Sequence, residues 1–397
     1  MREAPGRRGV GLARPAFVLA LLACVLSLHC GPAPRAGPAA ERPTGAAPAA
    51  PGAAVTDAPA AVQGPAATSA PDADTSQPLS PPLKVRVGVA GIGGEIGLYL
   101  ADARGYFAEQ GLDVEFVRLR GAPESIPMMA TGDLQFGGGS PDAGLFNAAG
   151  REIGVKIISS LSVIPPGGGG GAALLVRQDH IDSGRFRDLS DLRGMTIGVA
   201  SLGTSVQLYT DRMLERGGLT ADDVQLNIVQ VPDTVTAFAN KAVDSAFAIE
   251  PFVAYSEGQG VAKAVITVGD VFPGASSTVL MVSPVFERDR PDAVRRFALA
   301  FLRGHRDYWQ ATRNGGAERD AIVSVFTTYT ALKDPALYTR IMWPSVDPNG
   351  AVDRASLEAM QDYFLKMGTQ QERQDLGRML EPAYLNYAVE RLGHVTP

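Results

Sequence analysis

The 397-residue chain holds only two cysteines and four histidines, and this scarcity removes most enzyme chemistry from consideration. Both cysteines, Cys24 and Cys30, fall at the N-terminus. The body beyond them can therefore form no disulfide and offers no thiol nucleophile. Its histidines are His180 in a polar loop, His305 in a charged helix and His394 near the C-terminus. None stands in H-E-x-x-H, and no G-x-S-x-G accompanies them. Neither a catalytic residue nor a metal site is expected.

Basic clusters are short and interleaved with apolar residues, as at Arg295-Arg296, and the net charge is −6. That leaves no electrostatic footprint for nucleic acid, which calls for clustered Lys and Arg. Past the N-terminus there is no run of eighteen apolar residues, so no membrane-spanning helix is expected. The glycine-rich stretches also miss the nucleotide patterns. Gly137-Gly138-Gly139-Ser140 lacks the Lys-Ser/Thr of a phosphate-cradling loop, and Gly91 to Glu95 fails G-x-G-x-x-G because position 96 is Ile. No cofactor is expected.

What the N-terminus does contain is an export signal (residues 1–30). Arg2, Arg7, Arg8 and Arg14 precede the apolar stretch Ala16 to Ala23, which is shorter than the roughly 20 residues a spanning helix needs. Leu21-Leu22-Ala23-Cys24 resembles a bacterial lipoprotein cleavage box, with Cys24 as the lipidated residue; Cys30, followed by Gly31-Pro32, is the alternative. Residues 31–82 are dominated by Ala, Pro, Gly, Ser and Thr. Such a segment buries too little apolar surface to offset the entropy of ordering, so a disordered tether is expected.

From Leu83 the pattern becomes that of a folded α/β protein. Strand Lys84–Ala90, helix Ile96–Arg104, strand Leu112–Leu119, helix Glu124–Thr131, strand Leu134–Phe136, helix Asp142–Ala149 and strand Val155–Leu161 alternate. Ala172–Val176 reads as a crossing strand. The alternation then restarts with strand Thr196–Ala200, helix Ser205–Arg216, strand Gln225–Val231, helix Val235–Ala242 and strand Ser245–Ile249. Val265–Val268 is a further strand, Ser277–Val282 a returning one, and the chain reads helical beyond Pro291. A first lobe (83–176, completed by 277–397) with a second lobe (177–276) inserted into it is the arrangement this order predicts. Each lobe should be a mostly parallel sheet flanked by helices.

In open α/β sheets ligands bind beyond the carboxyl ends of the strands. Three strand-to-helix loops meet that condition: one with Gly93, Gly94 and Glu95, one with Gly139, Ser140 and Pro141, and one with Gly203, Thr204 and Ser205. Glycine lets backbone approach a ligand, and the N–H groups opening each helix favour an anion. The alternative for each is a tight turn with an N-cap. Glu250, ending a strand before Pro251, is either an acceptor for a ligand N–H or hydroxyl or a partner across the hinge. With Glu95 it leaves the ligand's charge open. Tyr99, Phe252 and Tyr255 are candidates for an aromatic wall.

Four motifs then carry a resemblance. Ala103-Arg104-Gly105-Tyr106-Phe107 with Gly111-Leu112-Asp113-Val114, the run Met129 to Gly137, Asp191-Leu192-Arg193-Gly194 with Ile197-Gly198-Val199, and Val243-Asp244-Ser245-Ala246 with Glu250-Pro251-Phe252 follow one another in order. Together they resemble the NMT1-like periplasmic binding proteins of nitrate, sulfonate, taurine and thiamine-precursor importers. The resemblance spans about Leu83 to Gly304. It implies a type II, two-lobed periplasmic-binding-protein fold with the ligand cleft between lobes. It also implies a monomeric solute carrier, periplasmic and membrane-anchored by lipid, that delivers to an ABC permease. A ligand sensor without a permease is the alternative. The family's pyrimidine-synthase branch uses a cysteine-rich motif that this body lacks.

Overall fold

The computed structural model describes residues 77–119, 122–151 and 153–396. The expected export signal, Cys24, Cys30 and the tether as far as residue 76 lie outside the described residues. Five strands build a first sheet: β1 (Leu83–Val89), β2 (Leu112–Arg118), β3 (Phe136–Gly139), β4 (Lys156–Val163) and β10 (Ser276–Val282), in the order β2-β1-β3-β10-β4. Five more build a second: β5 (Ala172–Arg177), β6 (Thr196–Val199), β7 (Gln225–Ile228), β8 (Ser245–Ile249) and β9 (Ala262–Thr267), in the order β7-β6-β8-β5-β9. β1 runs parallel to β2 and β3, with Val87 opposite Phe116 and Phe136, while β10 is antiparallel to β3 and β4. The second sheet repeats this plan: β6 is parallel to β7 and β8, and β5 is antiparallel to β8 and β9. In the second sheet the central strands β5 and β8 are largely apolar buried runs, Ala172 to Val176 and Ala246 to Ile249, as expected of strands covered on both faces. In each sheet the one reversed strand is the one that arrives from the other lobe.

Two expected boundaries are corrected by this topology. The line after Val176 falls one strand late, because β5 hydrogen-bonds to β8 and β9 and so belongs to the second sheet. The chain therefore crosses between β4 and β5, through the glycine run ending at Gly171. The tether also ends earlier than residue 82. Leu79 N–H donates to Gln110 O (3.3 Å), Arg296 Nη1 donates to Gln77 O (2.6 Å), and the Leu79 side chain packs on the first core. An apolar leucine with a backbone partner is enough to anchor this stretch before β1 begins.

Helices pack around the sheets, among them α1 (Ile96–Ala103), α2 (Ala143–Gly150), α3 (Ser205–Arg216), α4 (Phe252–Gly258), α5 (Pro291–Asn314), α6 (Arg354–Lys366) and α7 (Ala383–Leu392). α5 starts with proline, whose fixed φ suits a first helical turn, and ends at Gly315 with φ 67°. It crosses α1 at very close range. A Cβ on Gly304 would lie 2.5 Å from Ala101 N and Gly97 O, so only glycine permits the approach.

α6 forms a third link between the lobes. Its Leu357, Met360 and Phe364 share one buried cluster with Phe146 of α2 and with Leu208 and Met213 of α3. Polar contacts add to this: Tyr363 Oη donates to Asp211 Oδ2 (2.6 Å), and Asn147 Nδ2 donates to Thr369 O (2.8 Å). The lobes are thus joined by two chain crossings and by a helix packed against both.

Candidate functional site

Four strand ends and one pair of neighbouring strands converge on a single cleft. After β1 the chain turns at Gly91 (φ 75°), a left-handed conformation that glycine adopts without a Cβ penalty. The Glu95 side chain then folds back into this turn. Its Oε1 accepts from Ala90 N–H (2.8 Å), and its Oε2 accepts from Gly91 N–H (2.8 Å), Ile92 N–H (3.1 Å) and Tyr99 Oη–H (2.7 Å). Glu95 has no exposed surface, and burial pushes its carboxyl above the ordinary range against the pull of those four hydrogen bonds. Gly94 is pressed against hydroxyls of the first sheet. A Cβ there would lie 2.8 Å from Ser162 Oγ and 3.1 Å from Thr278 Oγ1.

After β3, Ser140 and Pro141 lead to Asp142, the N-cap of α2, whose Oδ1 accepts from Leu145 N–H (3.1 Å). Burial raises the Asp142 carboxyl to about 6. After β6 the turn is closed by Ser201 and Thr204, whose hydroxyls are 2.9 Å apart, and by Gly203 N–H donating to Gln207 Oε1 (2.7 Å). Thr204 occupies the N-cap of α3 without a side-chain capping bond. After β8, Glu250 reaches across to the C-terminal region. Its Oε1 accepts from Met342 N–H (2.8 Å) and its Oε2 from Ala254 N–H of α4 (3.1 Å). Burial, and then the charge of Glu257, raise the Glu250 carboxyl to about 7.

These elements enclose a cleft of about 570 Å³, its open mouth included. The first lobe contributes Ile92, Gly93, Gly94, Ser140, Ser162, Ile164, Ser277 and Thr278. The second lobe contributes Ala172, Ser205, Val206, Tyr209, Phe247, Ile249, Glu250 and Val268, with Gly170, Gly171 and Pro344 between the two. Of the ten residues singled out from the sequence, the structure gathers Gly93, Gly94, Ser140, Ser205 and Glu250 around this space. Glu95, Gly139, Pro141, Gly203 and Thr204 stand behind it in the supporting turns. Glu95 in particular is a correction, since its oxygens face the chain's own N–H groups and leave none of them for a ligand.

The aromatic wall is also different from the expected one. Tyr99 is buried, stacked on Tyr329 with ring centroids 4.9 Å apart, and neither Phe252 nor Tyr255 lines the cleft. Tyr209 and Phe247 do so instead. Tyr209 sits one helical turn after Ser205, so i, i+4 spacing on α3 is a readable signal for it. The hydroxyls of Ser162 and Ser277, 2.9 Å apart, have a signal too: serine and threonine placed in otherwise apolar strands.

Two open α/β sheets, each with one strand exchanged, and a cleft lined from both at the strands' carboxyl ends define the two-lobed periplasmic-binding-protein fold. The NMT1/THI5-like family matches residues 94–311, and the chain belongs to that family. Relatives in Brucella abortus, named only as binding proteins, are 29% identical over 169 residues, which is 42% of this chain and 48% of theirs. The chain thus spans about half the length of the curated relatives it matches. Among solved structures, the alkanesulfonate-binding protein SsuA from Xanthomonas axonopodis pv. citri, bound to MOPS, superposes with a TM-score of 0.60 at 17% identity, over 76% of this chain and 99% of that one. The desulfurization enzyme DSZB superposes with a TM-score of 0.58 at 20% identity, over 78% of this chain and 99% of that one. At these identities the likeness is one of fold.

Proposed function

We propose that the protein is the extracytoplasmic solute-binding component of an ABC importer, holding a small anionic or heteroaromatic organic solute between its lobes and passing it to a permease. The observation that carries this reading is the cleft itself, lined from both lobes and floored by the glycines at which the chain crosses. A solute touching both walls stabilises the closed arrangement relative to the open one, and the difference between the two forms is what a permease can read. Export and lipidation at Cys24, with Cys30 as the alternative, would keep the monomeric carrier at the membrane surface.

Because one similar fold is an enzyme, the cleft's chemistry has to separate binding from catalysis. Among the described residues, no Cys, His, Lys or Arg lines it. Its titratable groups are Glu250 and Tyr209, with no nucleophile–base pair between them, which favours capture over turnover.

The test is small-angle scattering with and without solute, after a thermal-shift screen of sulfonates, nitrate, aromatic acids and pyrimidines has found one that binds the native state. The radius of gyration should fall at saturation. An unchanged radius with a proven ligand bound would refute closure.

A further inference from the structure

Resting on the carrier reading for an anionic solute, the charge balance of the cleft assigns a further role to one of its walls. The polar groups open to the cleft are neutral. Ser140 and Thr278 of the first lobe and Ser205 of the second line it, and none of their hydroxyls makes a hydrogen bond among the described residues. Ser205 and Thr278 are only 3% and 4% exposed, yet unlike the sealed Tyr209 hydroxyl theirs stay open, so the cleft is where they meet a partner. Ser162 and Ser277 add a hydroxyl pair 2.9 Å apart. Such an array can donate to an oxyanion, but it supplies no countercharge.

Among the described residues lining the cleft, the one carboxyl is Glu250, and no cation lines it. Glu250 is 3% exposed and is held by Met342 N–H on one oxygen and by Ala254 N–H on the other. The elements packed against it bring no positive charge to bear. α4 presents Glu257, a like charge. β8 and the crossing from Ile164 to Gly171 carry no ionisable side chain. Arg340, ahead of Met342, turns its guanidinium toward Gly258 at the far end of α4. In the first lobe, the Glu95 and Asp142 carboxyls accept from N–H groups of their own turns. We infer that Glu250 balances the charge of the solute: the cleft takes an anion together with one proton from solvent, which neutralises the Glu250 carboxylate, and disfavours the anion while that carboxylate is ionised. Two negative charges in one cleft lower affinity by about a hundredfold, whereas a neutral carboxyl adds an O–H donor to the hydroxyl array. Burial already holds this carboxyl at about 7, so the proton is within reach at neutral pH.

Benzenesulfonate, ionised at every working pH, is the probe. Proton and anion binding are reciprocal, so affinity must fall as pH rises. Calorimetric titration of the full folded chain should give a dissociation constant that rises about tenfold from pH 6 to pH 8. At pH 8, titrations in two buffers of unlike ionisation enthalpy should show more than half a proton taken up per solute bound. Glu250→Gln, neutral throughout, should bind with an affinity level across that range and take up no proton. The wild-type titrations decide the linkage by themselves should that variant fail to fold. Wild-type affinity that ignores pH, proton uptake that survives Glu250→Gln, no benzenesulfonate binding at tens of millimolar at pH 6, or tighter binding of benzylammonium than of benzenesulfonate at pH 6 would each overturn the inference. A pH-independent affinity accompanied by contraction in scattering would overturn the proton linkage alone and leave the carrier reading standing.

Discussion

Replacing Glu250 with glutamine isolates one buried proton. The carboxyl has an ordinary value of 4.5 and is held at about 7 by burial and by the charge of Glu257. A raised acid means the folded protein binds the proton more tightly than the unfolded chain. The stability this group contributes is therefore fully present below pH 4.5 and is lost as pH rises through 7. A tenfold difference in proton affinity is worth about 1.4 kcal/mol, so the loss between those limits is about 3 kcal/mol. Glutamine is neutral at every pH and keeps the shape, but its amide nitrogen cannot accept from Ala254 N–H, a constant cost of about 1 kcal/mol. Urea unfolding at pH 5 and pH 8.5 measures both effects. The two should be about equally stable at pH 5, where the unfolded carboxyl is already largely ionised, and wild type the less stable by about 2 kcal/mol at pH 8.5. Asp142 and His305 titrate in both proteins and cancel in the difference. A stability gap equal at the two pH values would refute the assignment of a buried, proton-holding carboxyl to this position.

Glu95→Ala strips acceptors from Ala90, Gly91, Ile92 and Tyr99 at once, and should lower urea stability by at least about 3 kcal/mol, with Glu95→Gln in between. His305 is fully buried and pushed down to about 4. A depressed base contributes stability above its ordinary 6.5 that is lost as pH falls through 4, about 3 kcal/mol in all, so His305→Gln should flatten the acid limb of the stability curve. Tyr363→Phe removes the donor to Asp211, whose other oxygen is already buried without a partner among the described residues. It should cost about 1 to 3 kcal/mol and loosen the α6 link, seen as a larger ligand-free radius of gyration.

How far the chain can be read in advance depends on the range over which each feature is decided. α3 is expected at Ser205–Arg216 and occurs there, because buried Leu208, Tyr209, Met213 and Leu214 alternate with charged Asp211, Arg212, Glu215 and Arg216 and a glycine follows. The β/α alternation and the return of β10 to the first sheet are legible from the same local periodicities. β5 falls to the wrong lobe in a sequence reading because an apolar run such as Ala172 to Val176 satisfies either sheet equally well. Only its pairing with β8 and β9 settles the choice.

The cleft divides along the same line. Its glycine- and serine-rich turns are visible because such turns are punctuated by residue type. Glu95 misleads because the difference between holding a ligand and holding its own loop is whether the side chain turns back, and composition does not encode that direction. Ser162, Ser277 and Tyr209 each carry a local signal, but what that signal means is decided only when β4, β10 and α3 meet. Local order follows from neighbours in sequence, whose patterning is written in the chain. The charge and polarity of a binding site follow from groups far apart in sequence, and only packing determines which of them face one another.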